Sequence, residues 1–233
     1  MNADFACSQY RRANGGAPNG VLVSGMILVG QYDSPYTRRV AISLMVLGIP
    51  FEHDTRSVFG DFDSMRKTNP LGRIPSLILD NGETLIDSAA ILDHIDETVG
   101  PERALLPPSG KARREALQRI ALANGAVDKI GGGVNYETMI RPSQYRWPEW
   151  IARCTTQGLG ALAALDALDW KADAPVDQAQ ITTACAFDYI QVTALQLAPE
   201  GRYPNLEILT NRLRARTEFQ ATRFSDYAVP KAS

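Results

Sequence analysis

The spacing of apolar residues changes at one place in the chain, residues 101–110, and this change limits the folds that the chain can adopt. Before it, short apolar runs alternate with helical patterns in the order β-α-β-α-β-β-α. After it, every periodic segment is helical. The segment itself, "PERALLPPSG", holds three prolines and is typical of a linker. The sequence therefore predicts a small α/β domain over residues 26–105 and an all-α helical bundle over residues 106–233.

The first half contains the signals of a mixed sheet. "MILVGQY" predicts a buried strand, and "YTRRVAISLMVLG" predicts a helix that ends at Gly48. "IPFEHDT" predicts a second strand, parallel to the first because a helix joins them. After a short helix in "SMRKTNP", "IPSLIL" and "ETLID" flank Asn81-Gly82 and predict a hairpin, because this pair accepts positive φ. The last helix, "SAAILDHIDETVG", is expected to have Ser88 as its N-cap and to end at Gly100.

The second half begins with a helix in "KARREALQRIALANGAVDKI". Its expected buried face contains Leu117, Ile120 or Ala121, and Asn124. Three consecutive glycines at residues 131–133 are then expected to loosen or break the helix.

A further helix in "VDQAQITTACAFDYI" carries two start signals. Asp177 is expected at the N-cap with Gln180 reaching back to it, and Val176 is expected to pack on Ile181. The run that follows is almost wholly apolar and predicts a central helix, in which Cys185 is a small buried side chain. The final helix begins near Pro204 and is expected to give way to a basic tail.

Composition excludes several classes of function. The 233 residues carry 24 Lys and Arg against 26 Asp and Glu, spread without long blocks, so neither nucleic acid nor an acidic membrane surface is an expected partner. Cys7, Cys154 and Cys185 have no ligand spacing, so no metal site is expected. A chain without a long apolar run is expected in the cytoplasm. Residues 1–25 lack periodicity and are interpreted as an extension or leader, or as a surface loop.

From Met26 to about Phe224 the chain resembles the cytosolic glutathione transferases of the serine type, with a bacterial-like pattern. Five motifs carry the resemblance in the family's order: "SPYTRRVAISL", "NPLGRIPSLIL", "DSAAILDHI", "VDQAQITTACAFDYI" and "YPNLEILTNRLRAR". The resemblance implies a thioredoxin-like N-terminal domain, an all-helical C-terminal domain and a homodimer. It also implies glutathione as a co-substrate, without a metal, and a small electrophile as the second substrate.

Ser34 is the expected catalytic residue. It precedes Pro35, which is favoured in the first helical turn, so Ser34 is expected at the N-cap, where backbone N–H groups and the helix dipole favour an anion. If the hydroxyl donates to the sulfur of bound glutathione, it lowers the pKa of the thiol and enriches the nucleophilic thiolate. Taken alone, the Ser-Pro pair indicates an ordinary helix cap.

Three further positions are expected to bind glutathione. By resemblance, the Ile74-Pro75 bond is cis and turns the backbone of Ile74 toward the peptide. Asp87 and Ser88 open the next helix, where the hydroxyl and N–H groups suit the α-carboxylate and the Asp carboxylate suits the ammonium. The family usually has the longer Glu at the position of Asp87, and a plain capping role for Ser88 stays open.

The second substrate is expected to contact aromatic and apolar side chains, with Tyr36, Tyr136, Met139 and Trp147 as candidates. Such residues are usually core, so these assignments stay open. Arg38 and Arg39 are left out of the expected site as structural or exposed residues. His53 and His94 lack a Ser or Cys partner in the sequence pattern, which disfavours a histidine-based hydrolase.

The sequence therefore predicts a glutathione transferase that activates the glutathione thiol for attack on a small, mostly apolar electrophile. A non-catalytic glutathione-binding protein and a glutathione-dependent isomerase or dehalogenase of the same fold are the alternatives.

Overall fold

The computed structural model describes residues 25–171 and 173–224. This part of the chain forms two compact units, the first ending at Arg103 and the second beginning at Ala104. The extension expected over residues 1–25 lies outside the described residues, apart from Gly25.

The first unit is a four-stranded mixed sheet with three helices, in the predicted order. In chain order its elements are β1 Ile27–Val29, α1 Pro35–Val46, β2 Glu52–Asp54, α2 Phe62–Thr68, β3 Ser76–Ile78, β4 Thr84–Ile86 and α3 Ser88–Val99. The strand order is β2-β1-β3-β4, with β1 parallel to β2 and β3 antiparallel to both β1 and β4. The parallel pair and the hairpin predicted from the sequence are therefore confirmed.

Helix α1 lies at the centre of the first unit. It packs on β1 and on α3, and α3 in turn packs on β3 and β4. All of its residues from Thr37 to Leu44 are buried, so polar as well as apolar side chains of this helix lie inside the unit. As predicted, Gly48 terminates it: this glycine follows the C-cap Leu47, and its φ of +68° is disfavoured for residues with a Cβ.

In the described part of the second unit, all regular elements are helical. It contains α4 Gly110–Val127, a π-helix Asp128–Asn135, α5 Tyr136–Met139, a 3-10 turn Ser143–Tyr145, α6 Pro148–Asp166, α7 Gln178–Thr193, α8 Pro204–Arg214 and α9 Thr217–Ala221. The central helix is α7, which is buried over most of its length and packs on α4 and α8. Cys185 is buried within it, as predicted. Within the described residues, none of the helices has both the length and the apolar character needed to cross a membrane.

The glycines at residues 131–133 were expected to loosen or break the helix; the loosened helix is confirmed and the break is wrong. The chain continues through them as a wider π-helical turn. A Cβ at Gly133 would lie 2.5 Å from Sγ of Cys154, and one at Gly131 would lie 3.0 Å from the hydroxyl oxygen of Tyr189. These two glycines allow the π-helix to approach α6 and α7 closely.

Three smaller expectations also need correction. The buried face of α4 contains Ala116, Ala123 and Val127, while Leu117 is 41% exposed, so the expected face is displaced by one residue. The segment expected to be a basic tail begins with α9, which buries Phe219. Asp177 accepts a hydrogen bond from the Gln180 N–H at 2.8 Å. The expected return bond from the Gln180 side chain is not formed: the buried side-chain oxygen of Gln180 has no hydrogen-bond partner among the described residues.

Candidate active site

Ser34 is the N-cap of α1, as predicted. Its backbone is extended, Pro35 follows at the first helical position, and Oγ accepts a hydrogen bond from the Thr37 N–H at 3.3 Å. That bond is longer than usual, so the cap is weak. Among the described residues, the Ser34 O–H has no acceptor. A partly buried hydroxyl at the positive end of a long helix is therefore available to donate to an anion.

The turn before Ser34 is supported by β2. The Nε2–H of His53 donates to the Gly30 carbonyl at 2.7 Å, and since a carbonyl only accepts, this nitrogen carries the proton. The same ring stacks on Tyr32, with centroids 3.9 Å apart. Burial lowers the pKa of His53 and raises the pKa of Tyr32. The sequence pattern disfavours His53 as a catalytic group, and in the structure His53 supports the turn that carries Ser34.

Ile74 and Pro75 lie directly before β3, next to the same turn. The bond between them is cis, as the resemblance implies. A Cβ at Gly30 would lie 2.7 Å from the Cβ of Ile74, so the turn and this segment are in close contact. Among the described residues, the backbone N–H and C=O of Ile74 have no hydrogen-bond partner. Both groups are available to a peptide.

Asp87, and not Ser88, is the N-cap of α3, which corrects the sequence interpretation. The Asp87 carboxylate accepts a hydrogen bond from the Ala89 N–H at 2.8 Å, and its φ is +72°, rare for a residue other than glycine. Asp caps helices as well as Ser does, so pattern alone does not separate two adjacent capping residues. Asp87 is exposed at the helix end, where its carboxylate can meet an ammonium group.

Ser88 is buried, and its hydroxyl contacts an arginine that the sequence analysis left out of the site. The Nε and Nη2 of Arg39 both donate to Ser88 Oγ, at 3.1 and 2.7 Å. Both residues are at most 3% exposed. The sequence carried a signal that Arg39 needs a polar partner, because an arginine inside an almost wholly buried helix requires one, but it carried none that the partner is Ser88. The adjacent Arg38 is also buried.

The candidate contacts of the second substrate fall in both units. In the first, Tyr36 is partly buried on α1, with the Arg39 guanidinium 5.8 Å from its ring centroid. In the second, Tyr136 is 44% exposed, Trp147 is 59% exposed and Met139 is partly buried. The Trp147 ring stacks on Trp150 with centroids 6.2 Å apart. Trp147 and Trp150 therefore form an exposed aromatic pair on the second unit.

Comparison with known proteins agrees with this geometry. Residues 28–103 match the family model for the N-terminal domain of glutathione S-transferases. The uncharacterized GST-like protein YibF of Escherichia coli is 29% identical over 201 residues, which cover 84% of this chain and 98% of that protein. A probable maleylacetoacetate isomerase of Drosophila melanogaster is 25% identical over 208 residues, covering 86% of this chain and 82% of that protein.

A solved structure extends the match to the whole fold. A glutathione transferase family member from Pseudomonas fluorescens Pf-5, determined with bound glutathione, is 31% identical and superposes with a TM-score of 0.74. The match covers 85% of this chain and 98% of that one. The mixed sheet and the helical second unit agree with these matches, and the chain therefore belongs to the glutathione transferase family of enzymes.

Proposed function

We propose that this enzyme uses Ser34 to activate the thiol of glutathione for attack on a small electrophilic, mostly apolar substrate. The observation that carries the proposal is the Ser34 hydroxyl, which lies at the N-cap of α1 and has no acceptor among the described residues. The bound glutathione of the Pseudomonas fluorescens relative supports the choice of ligand.

Ser34 acts on the equilibrium between thiol and thiolate. A free thiol has a pKa of about 8.5 and is mostly protonated at neutral pH. A hydrogen bond to a charged group contributes about 1.5 to 3 kcal/mol, and each pKa unit corresponds to about 1.4 kcal/mol. One bond from Ser34 to the sulfur anion therefore lowers the pKa of the bound thiol by about 1 to 2 units, which raises the thiolate fraction at neutral pH from about 3% to between about 25% and 75%.

The rest of the peptide is proposed to bind through three positions. The backbone of Ile74, presented by the cis bond to Pro75, pairs with the cysteinyl backbone of glutathione. Ser88 donates to the α-carboxylate of its γ-glutamyl end, and the exposed Asp87 carboxylate accepts from the ammonium. These contacts contribute to the rate by holding sulfur and electrophile together. Tyr36, Tyr136, Met139 and Trp147 are proposed contacts of the electrophile.

The test is the ultraviolet absorbance of the thiolate of bound glutathione as a function of pH, in the wild type and in Ser34→Ala. The matched control is Ser109→Ala. Ser109 is also the N-cap of a long helix, α4, but it makes no side-chain capping bond and lies in the second unit.

We expect the apparent pKa of the bound thiol to fall well below the free value in the wild type and in Ser109→Ala, and to return toward it in Ser34→Ala. Glutathione affinity should be largely retained in Ser34→Ala, because the peptide contacts lie elsewhere. An unshifted thiol in the wild type would contradict the proposal, and Ser34 would then be a helix cap only.

Isomerisation is the second candidate, favoured by the similarity to a probable maleylacetoacetate isomerase. In such a reaction the thiolate adds to an unsaturated carbon, the new S–C bond later breaks, and glutathione is released unchanged. Product analysis separates the two: conjugation consumes one glutathione for each turnover, whereas isomerisation consumes none. A wild type that binds glutathione but turns over no electrophile of either kind would support a non-catalytic binding protein.

We also propose that the glutathione-binding domain spans residues 26–105, that the helical domain spans residues 106–233, and that the enzyme is a cytoplasmic homodimer. Exposed apolar side chains of the first unit, Phe59, Phe62 and Leu71, support assembly, because burying them removes apolar surface from water. Light scattering of the purified chain tests the dimer, and a monomer at micromolar concentration would contradict it.

A further inference from the structure

The hydroxyl of Ser88 is held on one side by Arg39. Two guanidinium nitrogens of Arg39 donate to the same oxygen, and a serine hydroxyl offers two acceptor positions and one donor proton. Arg39 therefore occupies the acceptor side of Ser88 Oγ. Since a guanidinium does not accept hydrogen bonds, the Ser88 proton points away from Arg39.

The Ser88 O–H has no acceptor among the residues that the structure describes. Its backbone N–H, at the first position of α3, likewise has no partner there. A buried donor without an acceptor is unfavourable, so the missing partner is expected to come from a ligand. Two donors at a helix N-terminus, one of them polarised by a cation, select a carboxylate and reject an ammonium.

We propose that Arg39 is a positioning residue that makes Ser88 a donor only, and thereby makes recognition of glutathione depend on its α-carboxylate. This inference rests on the proposed function, because it assigns Ser88 to the γ-glutamyl end. Arg39 acts through Ser88 and does not contact the ligand in this proposal. The exposed Asp87 carboxylate beside it accepts the ammonium, so the two neighbours fix the direction of the γ-glutamyl group.

The test compares two ligands and three proteins. The ligands are glutathione and its decarboxylated analogue, in which 4-aminobutanoyl replaces the γ-glutamyl group. The proteins are the wild type, Arg39→Lys and Arg38→Lys. Lysine keeps the charge but loses the two-pronged contact with Ser88. Arg38 is the matched control, since it is equally buried on the same helix, whereas the side-chain hydrogen bonds to Ser88 in the described residues come from Arg39.

We expect Arg39→Lys to weaken glutathione binding roughly 10-fold, the size of a hydrogen bond to a charged group, and to change binding of the analogue by less than about twofold. In Arg38→Lys the ratio of the two affinities should match the wild type. Because Ser34 is unchanged, Arg39→Lys should raise KM for glutathione while leaving kcat at saturating glutathione and the pKa of the bound thiol unaltered. In a Ser88→Ala background, Arg39→Lys should have no further effect on the affinity ratio.

An equal loss of affinity for both ligands in Arg39→Lys would overturn the inference and leave Arg39 as a structural anchor. A wild type that does not bind glutathione would instead remove the proposed function. The two outcomes are distinguishable, because the affinities for the two ligands can be compared only if the wild type binds glutathione.

A measurement on the wild type covers the case in which Arg39→Lys does not fold. When the Ser88 hydroxyl donates to a carboxylate, its oxygen becomes a better acceptor, because hydrogen bonds in a chain polarise one another. We therefore expect the NMR signal of the Arg39 Nε–H to move downfield on binding of glutathione and to stay in place on binding of the decarboxylated analogue. A signal that responds equally to both ligands would overturn the inference.

Discussion

The glycine pair Gly132 and Gly133 in the π-helix gives a stability prediction in which two adjacent residues behave in opposite ways. A Cβ at Gly133 would lie 2.5 Å from Sγ and 2.8 Å from Cβ of the buried Cys154. A Cβ at the exposed Gly132 would have no neighbour within 4 Å among the described residues. Neither glycine has a positive φ.

Each substitution by alanine has the same local benefit. Replacing a helical glycine by alanine stabilises by about 0.5 to 1 kcal/mol. At Gly132 nothing opposes this gain. At Gly133 the clash with Cys154 adds an overpacking penalty of about 1 to 3 kcal/mol. We therefore expect Gly132→Ala to be slightly more stable than the wild type and Gly133→Ala to be less stable than the wild type by up to about 2.5 kcal/mol.

The assay is urea unfolding of the two variants at one pH, and the difference between them isolates the clash. In a melting experiment that difference corresponds to about 2 to 4 °C for each kcal/mol in a chain of this size. Cys154→Ala in the Gly133→Ala background removes the nearer of the two clashing atoms, so partial recovery is expected. Equal stability of Gly132→Ala and Gly133→Ala would refute the reasoning.

Three further predictions concern single contacts. Burial lowers the pKa of His53 below its ordinary 6.5, so the folded state resists protonation of the ring. The free energy of unfolding should therefore be at its full value above pH 6.5 and should fall as the pH drops below it. In His53→Gln, unfolding measured at several pH values should show that this pH-dependent loss is gone. Asp177→Ala should lower the free energy of unfolding by about 1 kcal/mol, because it leaves the Gln180 N–H without its cap; an unchanged urea midpoint would argue against that cap. Gly30→Ala should give little folded protein on expression, since its φ of +130° is strained for alanine and its Cβ would meet Ile74; normal yield with normal glutathione binding would contradict this.

The elements most open to prediction were those specified by local chemistry. Asn81-Gly82 encodes a tight turn whatever surrounds it, and a hairpin follows in the structure. Gly48 and Asp177 mark a helix end and a helix start through their own backbone and side-chain preferences. Ser34 belongs to this class, because proline after a capping residue defines the helix start.

The features that escaped prediction depend on contacts between segments distant in sequence. Arg39 and Ser88 are 49 residues apart, and nothing in either segment alone specifies their contact. The glycines at 131–133 weaken an isolated helix, yet the close approach of Gly133 to Cys154 and of Gly131 to Tyr189 gives two of them a role inside one. In the alanine-rich α4, the small side chains permit close packing, so Ala116 is buried while the larger Leu117 is exposed.

The position of Arg39 on α1 has a geometric consequence for the length of the ligand. Ser34 caps α1 and Arg39 lies in the second turn of the same helix, so the helix fixes the position of one residue relative to the other. Because Arg39 also contacts Ser88 at the start of α3, this rigid helix acts as a spacer between two anion-favouring helix ends. A ligand that reaches both must place its sulfur and its carboxylate at the separation that this contact fixes, so a β-aspartyl peptide, shorter by one methylene between the two groups, is expected to reach only one of them.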